Sequence, residues 1–160
     1  MSKDAILDRL QPGLFWLQSL RNRVVKGVTL GVRGLVTDAD GAVLLVRHSY
    51  ISGWYLPGGA VEPGETALQS LARELEEEAS VAIEGDAPLL GFYFHEKHQR
   101  RDHVVLYRVP KVRRIRDFKP NAEILEAAFF PLGALPDGAT DSTRRRLDEH
   151  LAGSPVSAIW

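Results

Sequence analysis

The segment from Thr66 to Ala79 combines an apolar stripe with a cluster of carboxylates, and it constrains the fold more than any other part of the sequence. Its apolar residues recur at helical spacing and form one stripe: Leu68, Leu71, Ala72, Leu75 and Ala79. At about 100° per residue, Glu74, Glu77 and Glu78 fall within one arc beside that stripe. The segment therefore predicts an amphipathic helix that packs on a core and holds these carboxylates at the edge of the core.

The carboxylate cluster has two interpretations. A run of glutamates usually marks a solvated helix face, which normally carries basic residues four positions further on. Here the positions four residues after these glutamates carry no basic side chain, and only Arg73 is near. Clustered anions repel one another unless a cation joins them, and Mg²⁺ prefers oxygen ligands of this kind. The spacing alone leaves both a metal site and a solvated face open, while Glu76 projects elsewhere and is expected to be solvated.

Segments rich in β-forming residues stand on both sides of this helix. They span residues 29–37, 42–47, 89–94, 104–109 and 127–130. The turn from Asp38 to Gly41 is typical of a hairpin between the first two segments, and the polar turn at 99–102 predicts pairing of the next two. A second amphipathic helix is predicted from Asp141 to Leu151, with Asp141 or Ser142 as its cap. This mixture predicts an α/β (α+β) fold, a helix–sheet–helix sandwich with a mixed β-sheet.

The beginning of the sequence predicts a helical segment. We expect residues 1–24 to pack as helix on a domain formed by residues 25–160. The stretch from Leu14 to Leu17 is apolar but too short to span a membrane. An amphipathic helix lying on a membrane surface is the alternative to packing on the domain. Acidic residues interrupt any apolar run near the beginning of the sequence, and no secretion signal is visible.

Length and charge limit the classes of partner. The 160 residues suffice for one compact domain with a buried core. A formal net charge of -1 gives no basic face for gripping a nucleic-acid backbone, so we expect no nucleic-acid partner. The absence of cysteine excludes disulfides and thiolate metal sites and suits a reducing cytoplasm, which is the expected location. The sequence leaves a homodimer open.

The context upstream of the helix adds a second pattern. Gly59 is followed, after five residues, by Glu65, and after seven more by Arg-Glu-Leu-Glu-Glu-Glu-Ala-Ser-Val at 73–81. Residues 59–81 closely resemble the Nudix box, so the chain resembles the Nudix (MutT-like) hydrolases. One position departs from the family pattern, because Ser80 stands where the family has a glycine that ends the helix. That position suits a left-handed backbone, so serine there should cost some stability but removes no ligand.

The resemblance implies a strand–loop–helix architecture around a divalent metal. It assigns metal binding to three carboxylates and one backbone carbonyl, those of Glu74, Glu77, Glu78 and Gly59. Glu65 and Arg73 resemble the family's supporting pair, an ion pair that ties the loop to the helix. The expected cofactor is Mg²⁺, with Mn²⁺ as a substitute.

The resemblance also implies hydrolysis of a phosphoanhydride (pyrophosphate) bond. The expected partner is a small-molecule diphosphate, either a nucleoside triphosphate or a nucleoside diphosphate linked to another moiety, as in nucleotide sugars or ADP-ribose. Metal ions neutralise phosphate charge and lower the pKa of bound water, and the attack then needs a general base. The catalytic candidates are Glu77, Glu78 and Glu123. We expect the base to be Glu77 or Glu123, with Glu126 behind them, although Glu123 also fits a plain surface residue.

Basic side chains near the early strands predict contacts with the substrate. Arg33, Arg47 and His48 lie in or beside these strands and are the candidates for substrate binding. Arg47 alternates with Leu45 and Val43, so the three share one face of the sheet. An arginine at such an edge is either a phosphate clamp or a strand-end residue that extends to solvent.

A second class of function also fits the box. Some Nudix-like domains are catalytically silent and sense a nucleotide or bind a protein. Loss of activity usually accompanies replacement of the box glutamates, and all three are present here. The sequence therefore favours the enzyme over the silent module.

Overall fold

The computed structural model describes residues 28–95 and 102–160 of the chain. The predicted helical segment at 1–24 lies outside the described residues, and so does most of the turn at 99–102. In the described part the elements are β1 (Thr29–Val36), β2 (Val43–His48), α1 (Ala67–Ala79), β3 (Val81–Ile83), β4 (Leu89–His95), β5 (Asp102–Val109), β6 (Val112–Arg114), β7 (Ile124–Phe130), a 3₁₀ turn (Leu132–Ala134) and α2 (Asp141–Leu151). None of the helices described in these ranges is long and apolar enough to cross a membrane.

The strands pair in both directions. β5 lies between β1, which is parallel to it, and β4, which is antiparallel. β2 pairs antiparallel with β7, and β3 pairs antiparallel with β6. The predicted pairing of the segments that became β4 and β5 is confirmed, with Tyr93 opposite Val104. The prediction of a mixed sheet is likewise confirmed.

The predicted hairpin between β1 and β2 is wrong, although its turn forms. The Gly41 N–H donates to the Asp38 carbonyl at 3.1 Å, and Thr37 and Val43 form an isolated bridge. Beyond that bridge the strands diverge, β1 towards β5 and β2 towards β7. A turn fixes where the chain reverses but not which strand becomes the neighbour. Helices cover both faces of these strands, an environment typical of parallel pairing such as that between β1 and β5.

Helices cover both faces of the strands and create two cores. Along β1, Val32 and Val36 face α1, whereas Leu35 faces the opposite side. The first core includes Leu44, Leu71, Leu75, Ala79, Val105 and Val109. The second includes Val43, Leu45, Leu56, Tyr93, Leu106 and Leu147, the last of these from α2. This arrangement is the predicted helix–sheet–helix sandwich.

Helix α1 begins and ends with specific caps. The Thr66 hydroxyl accepts the Gln69 N–H, and the Gln69 side chain accepts the Thr66 N–H, which forms a capping box. Ser80 ends the helix with a left-handed φ of 58°. The placement of Leu68 and Ala72 on the buried stripe is wrong, because both residues are exposed, Leu68 to 39%. The direction of Leu68 matches that of Leu75, but Leu68 lies in the first turn, where buried Ser70 bonds to the Ala60 carbonyl at 2.8 Å instead.

Helix α2 leads into a segment that returns to the sheet. Its cap is Thr140, whose hydroxyl accepts the Thr143 N–H, and not Asp141 or Ser142 as predicted. Segment 152–160 then runs back beside β4. There the Phe94 N–H donates to Ala158 at 2.8 Å and the Trp160 N–H donates to Phe94 at 2.9 Å. These bonds bring Trp160 next to the sheet.

Candidate active site

A cleft of about 830 Å³ lies where β1, the glycine-rich loop at 55–60, α1 and the beginning of α2 meet. Its size is in the range of small-molecule sites, roughly 300–1,000 Å³. Carboxylates and an arginine line one part of it: Glu74, Glu78, Glu123 and Arg33. These residues come from three separate places in the chain, and the fold brings them together.

Two glycines allow the loop to lie directly between β1 and α1. The Val32 N–H donates to the Gly59 carbonyl at 2.8 Å, and the Gly34 N–H donates to Pro57 at 2.9 Å. A Cβ on Gly58, whose φ is 135°, would collide with the Val32 carbonyl, and a Cβ on Gly59 would collide with the Glu74 carboxylate. Glycine at both positions is therefore required for α1 to place its carboxylates against the loop backbone.

Glu78 is the most enclosed carboxylate of the cleft. The residue is 4% exposed, and its Oε2 accepts the Gly58 N–H at 2.7 Å. The Nε2 of buried His48 lies 3.8 Å from its other oxygen. Burial raises the pKa of Glu78 to about 7, against the opposing effect of the Arg33 guanidinium. A carboxylate in this environment ionises at a cost unless a cation joins it.

Glu74 and Glu77 differ in their exposure. Glu74 lies against Gly59 and accepts a hydrogen bond from Arg73 Nη1 at 2.8 Å. Burial raises the pKa of Glu74, and Arg73 opposes this effect. The Glu77 side chain is 59% exposed, lies 3.3 Å from Arg73 and does not line the cleft. The structure thus brings Glu74 and Glu78 together and leaves Glu77 on the outer side of the helix.

Arg73 connects the loop to the helix through Glu65. Its Nε and Nη2 bond to the two Glu65 oxygens at 2.9 and 3.1 Å, a bidentate ion pair. Nη2 also donates to the Ala60 carbonyl at 3.3 Å. The hydrogen bond from Arg73 lowers the pKa of Glu65, so that carboxylate stays charged. The ion pair expected between these two residues is present.

The substrate-side candidates separate into two groups. Arg33 lines the cleft and donates through Nη1 to the carbonyls of Leu56, at 3.1 Å, and Gly58. His48 also lines the cleft, and burial together with Arg33 lowers its pKa, so its imidazole is neutral at pH 7. Arg47 instead forms an ion pair with Glu126 on the neighbouring strand β7 and does not line the cleft.

Glu123 reaches the cleft from the turn before β7. The Asn121 side chain accepts the backbone N–H groups of Glu123 and Ile124 at 2.8 and 2.7 Å, and the Ser49 N–H donates to the Glu123 carbonyl at 2.8 Å. These bonds fix the turn beside Tyr50, whose pKa is raised by burial and by Glu123. Glu123, and not Glu126, therefore faces the site.

Other lining residues had no signal in the sequence. Tyr50 follows β2, Thr140 caps α2, Arg145 lies on α2, and Trp160 is in segment 152–160. They come from three separate parts of the chain and share no periodic pattern. Only the tertiary fold brings them to one cleft.

The site has the donor chemistry for a hard divalent cation. In residues 28–95 and 102–160, no three Asp, Glu or His side chains stand close enough to form a ready-made metal cluster. Glu74 and Glu78 nevertheless line one cleft together with the backbone of Gly58 and Gly59. The Gly59 carbonyl already accepts the Val32 N–H, while that of Gly58 accepts Arg33. These oxygen donors fit Mg²⁺ or Mn²⁺.

Comparison with known proteins identifies similar chains. A family model described as the NUDIX domain matches residues 27–151. Human 8-oxo-dGDP phosphatase NUDT18 is 31% identical over 118 residues, covering 71% of this chain and 36% of the human protein. The chain thus spans about a third of that relative's length. The putative 8-oxo-dGTP diphosphatase of Bacillus subtilis (strain 168) is 28% identical over 148 residues, covering 74% of this chain and 97% of its own.

Solved structures agree with this comparison. The crystal structure of a MutT NUDIX hydrolase from Burkholderia pseudomallei superposes with a TM-score of 0.64 and 25% identity. The match covers 78% of this chain and 99% of that protein. A NUDIX hydrolase from Nitrosomonas europaea has the same TM-score, 0.64, at 22% identity, which supports the fold alone.

Proposed function

Because the chain belongs to the NUDIX family and is a Nudix hydrolase, we propose that it cleaves the phosphoanhydride bond of a nucleotide with the help of a divalent metal ion. The two relatives described above are named for 8-oxo-dGDP and 8-oxo-dGTP, which makes nucleoside di- and triphosphates the first substrates to test. Nucleoside diphosphates linked to another moiety, such as nucleotide sugars and ADP-ribose, share the same bond and come second.

Glu78 is the observation that carries this proposal. Its carboxylate is buried in the cleft, bonded to the loop at Gly58 and adjacent to Glu74 and Arg33. A carboxylate buried only for structure would have a full ion-pair partner. Glu78 instead has a raised pKa and an open cleft beside it, as a ligand that receives a cation from solution would have.

Mg²⁺ or Mn²⁺ would be held by Glu74 and Glu78 with the backbone carbonyl of Gly59. The Gly59 carbonyl accepts only a neutral N–H, that of Val32, and has a second lone pair, whereas the Gly58 carbonyl is bonded to the Arg33 cation. Glu77, the third metal ligand that the resemblance implies, precedes Glu78 on α1 and would complete the set. When bound, such an ion neutralises phosphate charge and lowers the pKa of a bound water.

The chain's own residues supply orientation and proton transfer. Arg33 would bind a phosphate oxygen, because its guanidinium already lies at the cleft wall. The Glu123 carboxylate would take the proton of the attacking water as the new oxygen–phosphorus bond forms and the bridging phosphorus–oxygen bond breaks. The bond between Arg73 and Glu65 would keep the loop and α1 in register during this step.

A substrate screen tests the proposal. Purified protein should release phosphate or pyrophosphate from a nucleotide in Mg²⁺ or Mn²⁺, and turnover in ¹⁸O-water should label a product phosphate. Excess EDTA should abolish turnover. Full turnover in EDTA would contradict metal dependence, whereas tight nucleotide binding without turnover would favour the silent module.

A further inference from the structure

The cleft extends beyond the carboxylates to a wall that the proposed reaction does not use. This wall is formed by the beginning of α2 and by segment 152–160, and it includes Thr140, Ser142, Arg145 and Trp160. It is the part of the cleft in which an indole ring and an exposed cation occur together. Such a combination fits a flat aromatic group with a nearby anion.

Backbone hydrogen bonds hold Trp160 at this wall. Its N–H donates to the Phe94 carbonyl at 2.9 Å, and Arg146 Nη1 donates to the neighbouring Ile159 carbonyl at 3.0 Å. The indole meets the Tyr93 ring edge-on, with 5.4 Å between ring centroids and an interplanar angle of 74°. The ring is half-buried and lines the cleft, so part of its surface is available to a ligand.

A fully buried arginine supports the ring from behind. The Arg146 guanidinium lies 4.1 Å from the Tyr93 ring centre and 5.4 Å from that of Trp160. Its Nη2 donates to Glu149 at 2.7 Å. A buried ion pair seldom stabilises a fold more than apolar side chains of the same volume, but it fixes one arrangement. Here the arrangement that it fixes includes the position of Trp160.

We propose that Trp160 is a specificity-determining residue that stacks on the aromatic base of the substrate, while the diphosphate lies at Glu74 and Glu78. The inference rests on the proposed function for the diphosphate end of the ligand. The cleft volume of about 830 Å³ accommodates a nucleotide spanning both parts. Stacking tolerates different bases, so the preference is for a nucleoside diphosphate or triphosphate over a diphosphate that lacks a base.

Binding of inert analogues tests this proposal without turnover. Calorimetry in Mg²⁺ would compare a nucleoside methylenediphosphonate with methylenediphosphonate itself. Trp160→Leu keeps an apolar contact with Tyr93 but removes the stacking surface, and it should weaken nucleoside analogue binding about tenfold or more. Trp160→Phe should stay within about threefold of wild type, since an aromatic face remains. Methylenediphosphonate should bind all of these proteins equally.

The outcomes separate this proposal from the proposed function. Equal weakening of both ligands by Trp160→Leu would show that Trp160 only supports the fold, and unchanged nucleoside binding would exclude stacking. If Trp160→Leu does not fold, wild type still decides, because it must bind the nucleoside analogue at least tenfold tighter than a base-free ribose analogue. A lack of hydrolysis would overturn the proposed function and leave these binding differences in place. Trp54→Phe, which alters an indole packed on Phe130 outside the cleft lining, is the matched control.

Discussion

Glu78 and Glu149 are both buried carboxylates on helices, but their surroundings differ in charge. Glu149 accepts hydrogen bonds from Arg146 at 2.7 Å and from the Ser157 N–H at 3.0 Å. Glu78 accepts one backbone N–H from Gly58, and the nearest basic side chain that pairs with it in the described part of the chain is the neutral imidazole of His48, at 3.8 Å. The comparison distinguishes two kinds of buried acid: Glu149 joins α2 to segment 152–160, and Glu78 is the acid that we propose binds a cation.

The largest loss of stability should come from breaking the buried ion pair between Glu149 and Arg146. Glu149→Gln leaves the Arg146 charge buried without its counter-ion, which should lower the free energy of unfolding by about 3 to 5 kcal/mol. Urea denaturation measures this loss. The matched control is Glu84→Gln, which alters partly exposed ion pairs with Lys111 and Arg113 and should cost less than about 1 kcal/mol. A Glu149→Gln protein as stable as wild type would show that the ion pair with Arg146 does not stabilise the fold.

Substitution of Glu78, the acid without a charged partner, should lower activity without lowering stability. Glu78→Gln should lower kcat by at least about a hundredfold, or some 2.7 kcal/mol of barrier, while stability holds or rises. Glu77→Gln should lose turnover in the same way if it joins the metal site. Steady-state kinetics and thermal melts measure both properties.

Glu76→Gln is the control for this pair, because the Glu76 side chain is half-exposed and bonds to Arg116 at 3.1 Å. It should cost little turnover. An equal loss of turnover in all three variants would mean that the active face of α1 is assigned to the wrong residues.

The metal-free protein should lose stability as pH rises. The Glu78 pKa is about 7 in the folded chain against 4.5 as its reference value, so the folded state holds this proton more tightly. Its contribution is complete below pH 4.5 and is lost as pH rises through 7. Between pH 5 and pH 7.5 the loss should be about 2 kcal/mol. Urea melts in EDTA measure the slope, and Glu78→Gln should flatten it; an unchanged slope would assign the effect to other groups.

The smallest effect concerns the ends of the two helices. The helix that carries Glu78 ends at left-handed Ser80, whereas the helix that carries Glu149 ends at Ala152 with a φ of -101°. Ser80→Gly should therefore raise stability by on the order of half a kcal/mol and keep activity. Ala152→Gly should lower stability slightly, because its backbone gains nothing from glycine. A loss of stability in Ser80→Gly would mean that the serine side chain itself supports the cap.

Much of the carboxylate side of the cleft could be predicted because its signals are local. Helical spacing predicted α1, and the resemblance of residues 59–81 to the Nudix box implied the Glu65–Arg73 ion pair. The same resemblance made Glu123, just before β7, a candidate, and Glu123 lines the cleft. In each case the residues that define the feature lie within one short stretch of chain or at its boundary.

The remaining features depend on contacts between distant segments. Arg146 lies in an arginine run that resembles a solvated surface, yet the fold buries it completely beneath Trp160. The pairing of β1 with β5 joins residues separated by 73 positions in the chain, which no turn signal encodes. Leu68 has the right helical direction, but nothing in the sequence states what lies opposite it.

The close approach of the glycine loop to α1 has a consequence for how such an enzyme diverges. A side chain at Gly58 would collide with the Val32 backbone and one at Gly59 with the Glu74 carboxylate, so substitution at either position displaces the loop or the carboxylate. Arg145, on the wall at Trp160, is exposed and bonds to the Trp160 carbonyl at 3.5 Å, so its substitution alters the wall and not the loop. Directed evolution towards new substrates should vary the exposed side chains of that wall and keep the loop constant, because the wall would contact the base whereas the loop positions the carboxylates.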